Sequence, residues 1–125
     1  MKKDYTVCKL FGGYMLILLF MILSSNSNAQ TYECDEDLCV VEFNASWNSA
    51  NNVEWLSKLS DVGTKRILID AGSWQKDFSI VVTPTIIIFQ DGEEIKRYQA
   101  NIMMVMEATK KEVQGTIDEI IMSDF

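Results

Sequence analysis

Histidine is absent from the 125-residue chain. That excludes His-based general acid–base catalysis, Ser-His and Cys-His nucleophile pairs, and nearly every common zinc site. Positive charge is scarce, with 11 Lys and Arg against 18 Asp and Glu and a formal charge of −7. Such a chain is a poor partner for nucleic acid, whose phosphates need Lys and Arg. Proline occurs once, as Pro84, so its position calls for a reason. Cysteine occurs three times, as Cys8, Cys34 and Cys39. What is present suits a folded chain. Hydrophobic residues make up 48% and charged residues 23%, which excludes wholesale disorder, and the length fits one domain without repeats or linkers.

The long apolar run lies at residues 14–23, after Lys2, Lys3 and Lys9 and before the small residues Ser27-Asn28-Ala29. A charged start, a short apolar stretch and a small-x-small site predict a secretory signal over residues 1–29, cleaved after Ala29. The rival is an uncleaved anchor. The run holds ten residues, or fourteen counted from Leu10, against the roughly 20 that span a bilayer. The expectation is export to a periplasmic or secreted location, no membrane attachment after cleavage, and a domain over residues 30–125 in a setting where Cys34 and Cys39 can pair.

Within that domain, residues 38–43 (Leu-Cys-Val-Val-Glu-Phe) predict a strand buried on both faces. Asn48 or Ser49 is placed to cap a helix running to about Ser60, with Val53, Leu56 and Leu59 on one face. Residues 66–70 predict a second buried strand, and residues 71–79 a short helix. Residues 85–90 and 93–98 read as a hairpin around Asp91-Gly92, the strongest short-range signal of its kind. Thr109 and Glu112 form a capping box for a last helix whose apolar face is Val113, Ile117, Ile120 and Ile121. The order β-α-β-α-β-β-α predicts an α/β fold: a mixed four-stranded sheet with helices on both faces. Pro84 stands directly before the third strand, where it cannot donate to the ladder.

Residues 40–47 (Val-Val-Glu-Phe-Asn-Ala-Ser-Trp), the strand ending at Asp70, Thr83-Pro84-Thr85 and the Asp-Gly hairpin together resemble the thioredoxin family. The resemblance covers about residues 38–121 and implies a truncated thioredoxin-like fold, because residues 30–37 are too short for the family's first strand and helix. It implies a cis Pro84 facing the start of the first helix, an isomer that an X-Pro bond carries for about 0.5–1 kcal/mol. It also implies a carboxylate, Glu42, beneath the active site, and extended peptides bound beside the cis proline.

The chain departs from the family where its chemistry resides. The family follows its Trp with Cys-x-x-Cys; here Trp47 is followed by Asn48-Ser49-Ala50-Asn51. Exchange needs a thiolate to attack and a thiol to resolve, and an amide does neither. The expectation is therefore a protein- or peptide-binding module without dithiol chemistry, cofactor or metal. Its degenerate site comprises Trp47, Asn48, Asn51, Glu42, Thr83 and Pro84. Asn48 and Asn51 read first as a helix cap and a solvated loop, and second as ligand contacts. Glu42 reads first as a partly exposed or hydrogen-bonded strand carboxylate, and second as a buried acid with a raised pKa. Trp47 is a partner's anchor or packing at the helix start.

Three stretches stand outside that pattern. Cys34 and Cys39 can bridge only through a turn at Asp35-Glu36-Asp37; the alternatives are free thiols or a redox-active pair. That last use defines the rival function, a thiol–disulfide oxidoreductase in cell redox homeostasis. A purely structural domain is the third. Met103, Met104 and Met106 are core filler or an adaptable peptide-binding surface. The acids from Glu33 to Asp37 lack calcium-ligand spacing and read as a solvated loop.

Overall fold

The computed structural model describes residues 31–124. The export signal expected over residues 1–29, and Cys8 within it, lie outside the described residues.

Strand β1 (Leu38–Asn44) is buried along its whole length because it is flanked on both edges and covered on both faces. It runs parallel to β2 (Gly63–Leu68) and antiparallel to β3 (Thr85–Gln90). Strand β4 (Glu93–Gln99) returns from β3, giving the order β2-β1-β3-β4. Successive side chains of a strand point to opposite faces. Val40 of β1 and Ile86 and Ile88 of β3 therefore pack with Val53, Leu56 and Leu59, and with Val113 and Ile117 of helix α2 (Lys110–Ser123). On the other face Val41, Phe43, Ile87 and Phe89 meet Phe78, Ile80 and Trp74, the last from the single-turn helix α1 (Trp74–Asp77). The expected mixed sheet with helices on both faces is present.

The ends of these elements follow from local chemistry. Thr109 caps α2, its hydroxyl accepting from the Glu112 N–H at 3.2 Å. Asp91 and Gly92 turn the hairpin with φ of 52° and 85°, the left-handed pair of a type I′ turn. Register slips between Ile88 and Phe89, whose partners are Lys96 and Glu94, so Ile95 is an extra residue in β4. The segment before β1 is tied to this end of the sheet. Tyr32 donates its N–H to the Gly92 carbonyl at 2.9 Å, and its ring stacks on Phe89.

Two expectations are corrected. The second strand begins at Gly63 rather than Arg66 and is an edge strand with only Ile67 buried. It pairs with β1 alone, and its residues other than Ile67 are partly or fully exposed. The helix expected from Asn48 or Ser49 to Ser60 is not formed. Two short 3-10 segments, Ser46–Asn51 and Leu56–Lys58, stand in its place. Val53, Leu56 and Leu59 are still buried together. The helix is broken because its backbone groups are claimed elsewhere. Val53 donates its N–H to Glu42 Oε2 at 3.1 Å, and its carbonyl accepts from Arg66 Nη2 at 2.9 Å. The surrounding asparagines bond to one another and to nearby carbonyls, competing with the helical ladder.

Candidate functional site

The C-terminal end of β1 delivers the chain into an amide cluster. Asn44 donates from Nδ2 to the Asn48 carbonyl at 3.1 Å and to Asn52 Oδ1 at 2.7 Å, while its own Oδ1 accepts from the Ala45 N–H. Asn48 Nδ2 faces three acceptors: Asn44 Oδ1 at 3.1 Å, and the carbonyls of Thr83 and Met104 at 3.4 Å each. Asn48 Oδ1 accepts from Asn51 Nδ2 at 2.8 Å. Asn48 is thus a buried hub joining three segments distant in sequence. It is no helix cap, because the cap position is Ala45, which makes no side-chain bond. Asn51 is partly buried and bonded rather than fully solvated.

Pro84 follows a cis peptide bond from Thr83, as the resemblance implies. Its carbonyl accepts from the Ala100 N–H at 3.0 Å, holding this loop against the end of β4. Asn101 then folds the chain over the site. Its Oδ1 accepts from the N–H groups of Met103 and Val105, and its carbonyl accepts from the Met104 N–H at 2.9 Å. This turn leaves Ile102 and Met103 exposed. Trp47, 67% exposed, borders a cavity of about 250 Å³ walled by Ala45, Ile80, Val82, Thr83 and Met104. At its rim the Asp70 carboxylate accepts from the Ser46 N–H at 3.0 Å and the Ser46 hydroxyl at 2.6 Å. Those bonds, the hydroxyl first, hold Asp70 below the usual carboxylate range.

Beneath the site Glu42 is fully buried and paired with Arg66 at 2.9 Å. Burial pushes its carboxyl above the ordinary range, partly offset by the Val53 N–H and by Arg66. Glu42 is thus a buried carboxyl with a raised pKa, not the partly exposed carboxylate read first; its bonds to Val53 and Arg66 are as that reading also allowed. Glu42 takes the Val53 N–H and Arg66 the Val53 carbonyl, so the pair braces the segment where the helix breaks.

No family model matches this chain, and no curated protein matches it. Solved structures do. A point mutant of a thioredoxin from Halobacterium salinarum superposes with a TM-score of 0.54 at 21% identity, over 68% of this chain and 75% of that one. A malaria-parasite thioredoxin-2, described as a component of that parasite's protein secretion machinery, superposes with a TM-score of 0.55 at 17% identity, over 75% of this chain and 97% of that one. The chain has a thioredoxin-like fold. A designed protein also matches, at 22% identity and a TM-score of 0.52, over 68% of this chain and 81% of that one. At these identities the likeness establishes the fold.

On this thioredoxin-like fold the expected residues divide into three groups. Trp47, Asn48, Asn51, Thr83, Pro84 and Met104 come together at one end of the sheet. Met103 is exposed beside them, whereas Met106 packs against the core of the α2 face and takes no part in that surface. Cys34 and Cys39 pair as a disulfide, their Cα atoms 6.2 Å apart across bends at residues 35–37. They lie at the opposite end, since Cys39 pairs with Phe89 while Phe43 pairs with Thr85. Four residue steps along β1 separate those levels, roughly 13 Å. Sequence reasoning missed the parts played by Asn44, Arg66, Ser46, Asp70 and Asn101, and that of Val81 in the cavity lining. The Asn44-x-x-x-Asn48 spacing hinted at the first. Arg66 needed the parallel register that sets it opposite Glu42.

Proposed function

We propose that this chain is an exported binding module that receives a protein or peptide segment at the Trp47 surface and carries out no dithiol exchange. The observation that supports it is Trp47 standing 67% exposed beside an apolar cavity next to the cis proline. A large aromatic left in water at a concave apolar surface is characteristic of a docking site. The two positions where thiols would act hold Asn48 and Asn51, whose amides are spent on internal bonds. Export rests on the charged start, apolar run and small-residue site of residues 1–29. The test is an immobilised library of extended peptides probed with the chain and with Trp47→Ala. Selective retention that falls at least tenfold in the variant supports the reading. Equal retention by both proteins removes it.

The Cys34–Cys39 pairing favours a second reading, an oxidoreductase working from the other end of the sheet. Glu33, Asp35, Glu36 and Asp37 surround that pair, and neighbouring carboxylates disfavour a thiolate. Insulin reduction driven by dithiothreitol separates the two. Turnover above the buffer rate that disappears in Cys34→Ser or Cys39→Ser selects the oxidoreductase.

A further inference from the structure

We infer that the segment received at the Trp47 surface carries a lysine or arginine next to its apolar anchor, a refinement that rests on the binding reading above. The cavity accepts one apolar side chain, and Val81 and Ile102, 78% and 94% exposed, widen the apolar ground around it. Among the residues lining it, Asp70 alone is ionic, and there is no Lys or Arg. The Ser46 donors that fix the Asp70 carboxylate are neutral, so they orient its charge without cancelling it. Ion pairs among the described residues join Arg66 to Glu42 and Arg97 to Glu94, leaving Asp70 without a cationic partner.

A second carboxylate extends the same sign. Asn101, in the cavity wall, donates from Nδ2 to Glu107 Oε1 at 3.1 Å, which places Glu107 just beyond that wall. An apolar pocket with a negative rim rewards a cation beside the inserted side chain and repels an acid there. An acidic second copy of this chain, at −7 overall, meets that repulsion and is the poorer occupant.

The test uses fluorescein-labelled peptides of about eight residues, each with a central Leu flanked by Lys, by Ser or by Glu, titrated with the full chain and followed by anisotropy. At low salt the Lys-flanked peptide binds roughly fourfold tighter than the Ser-flanked one per added cation, and the Glu-flanked peptide binds weakest. At about 0.5 M salt, where screening acts within a few ångströms, the three converge. In Asp70→Asn, which keeps an oxygen for Ser46, the Lys advantage shrinks while Leu-dependent binding remains. In Trp47→Ala all three peptides weaken together.

Equal affinities for the three peptides on the unaltered chain overturn the inference and leave the binding reading intact. A Lys preference undiminished in Asp70→Asn also overturns it. Binding of no peptide ends both. Self-association of the chain that Trp47→Ala abolishes makes a second copy the occupant and overturns it as well.

Discussion

Removing the Asn48 side chain strands the groups that use it. Asn51 Nδ2 loses its acceptor, Asn44 Oδ1 loses a donor, and the contacts to the Thr83 and Met104 carbonyls disappear at a buried position. Asn48→Ala is expected to cost about 2 kcal/mol and Asn51→Ala about 1 kcal/mol. The double variant should cost less than their sum because the two share a bond. Urea denaturation measures all three, and an Asn48→Ala cost under about 0.5 kcal/mol would show that the hub is not holding the loops. Glu42 gives the second residue-scale test. Its folded pKa is raised above the ordinary 4.5, so between those values the folded state binds more protons than the unfolded one. Stability from this group is therefore full below 4.5 and falls as pH rises through the folded pKa. Glu42→Gln removes that slope, so the stability difference between variant and parent shifts in the variant's favour with rising pH. Arg66→Ala acts the other way, leaving a buried carboxylate without its cation. Because Arg66 is 37% exposed, the expected cost is about 2 kcal/mol rather than the larger loss of a fully buried pair.

Among the elements, the β3–β4 hairpin was readable from Asp91-Gly92 between two β-rich runs because its requirement is local: two residues at positive φ. Gly92 also bears a longer-range constraint. A Cβ there would lie 3.0 Å from the Tyr32 carbonyl oxygen, at a φ of 85°. Gly92→Ala is expected to destabilise by about 1–2 kcal/mol in thermal or urea unfolding, and no loss would mean the turn relaxes freely. The segment carrying Tyr32 is tied back by Cys34 and Cys39. A bridge closing so short a loop is worth about 2 kcal/mol in the chain-entropy model, so Cys34→Ser should cost about that much. Peptide mapping after alkylation without reductant checks the premise: label on both residues would mean the bond is absent. Helix α2 was equally legible, because Thr109 and Glu112 mark its start and Val113 and Ile117 its buried face. The helix expected after Trp47 was not. Its apolar spacing is real, and the three side chains are buried, yet its backbone is diverted by Glu42 and Arg66. No local pattern reports that a carboxylate on one strand and a guanidinium on the next will take both polar groups of Val53.

For the molecule as a whole, the same division holds at the site. Trp47, Asn48 and Thr83-Pro84 could be named from the chain because they stand at the ends of legible elements. Asp70, Val81 and Asn101 could not, because their roles come from how the segments after β2, before β3 and after β4 meet at that end of the sheet. The sheet also has an open side. Strand β2 sits at its edge, paired on one side with β1, and among the described residues no strand pairs with the other side. An open edge is a template for another chain unless something discourages pairing. Here the strand is short, from Gly63 to Leu68, and Lys65 projects an exposed charge near its middle with Arg66 beside it. Two copies pairing antiparallel about Lys65 would bring their Lys65 charges together, Arg66 being already paired with Glu42, which opposes association. Lys65→Val removes one charge and raises strand propensity without touching the Glu42–Arg66 pair. Its expected effect is little change in unfolding free energy but greater self-association, read as a concentration-dependent rise in light scattering. If the variant scatters like the parent across that range, the charge of Lys65 is not what keeps the edge open.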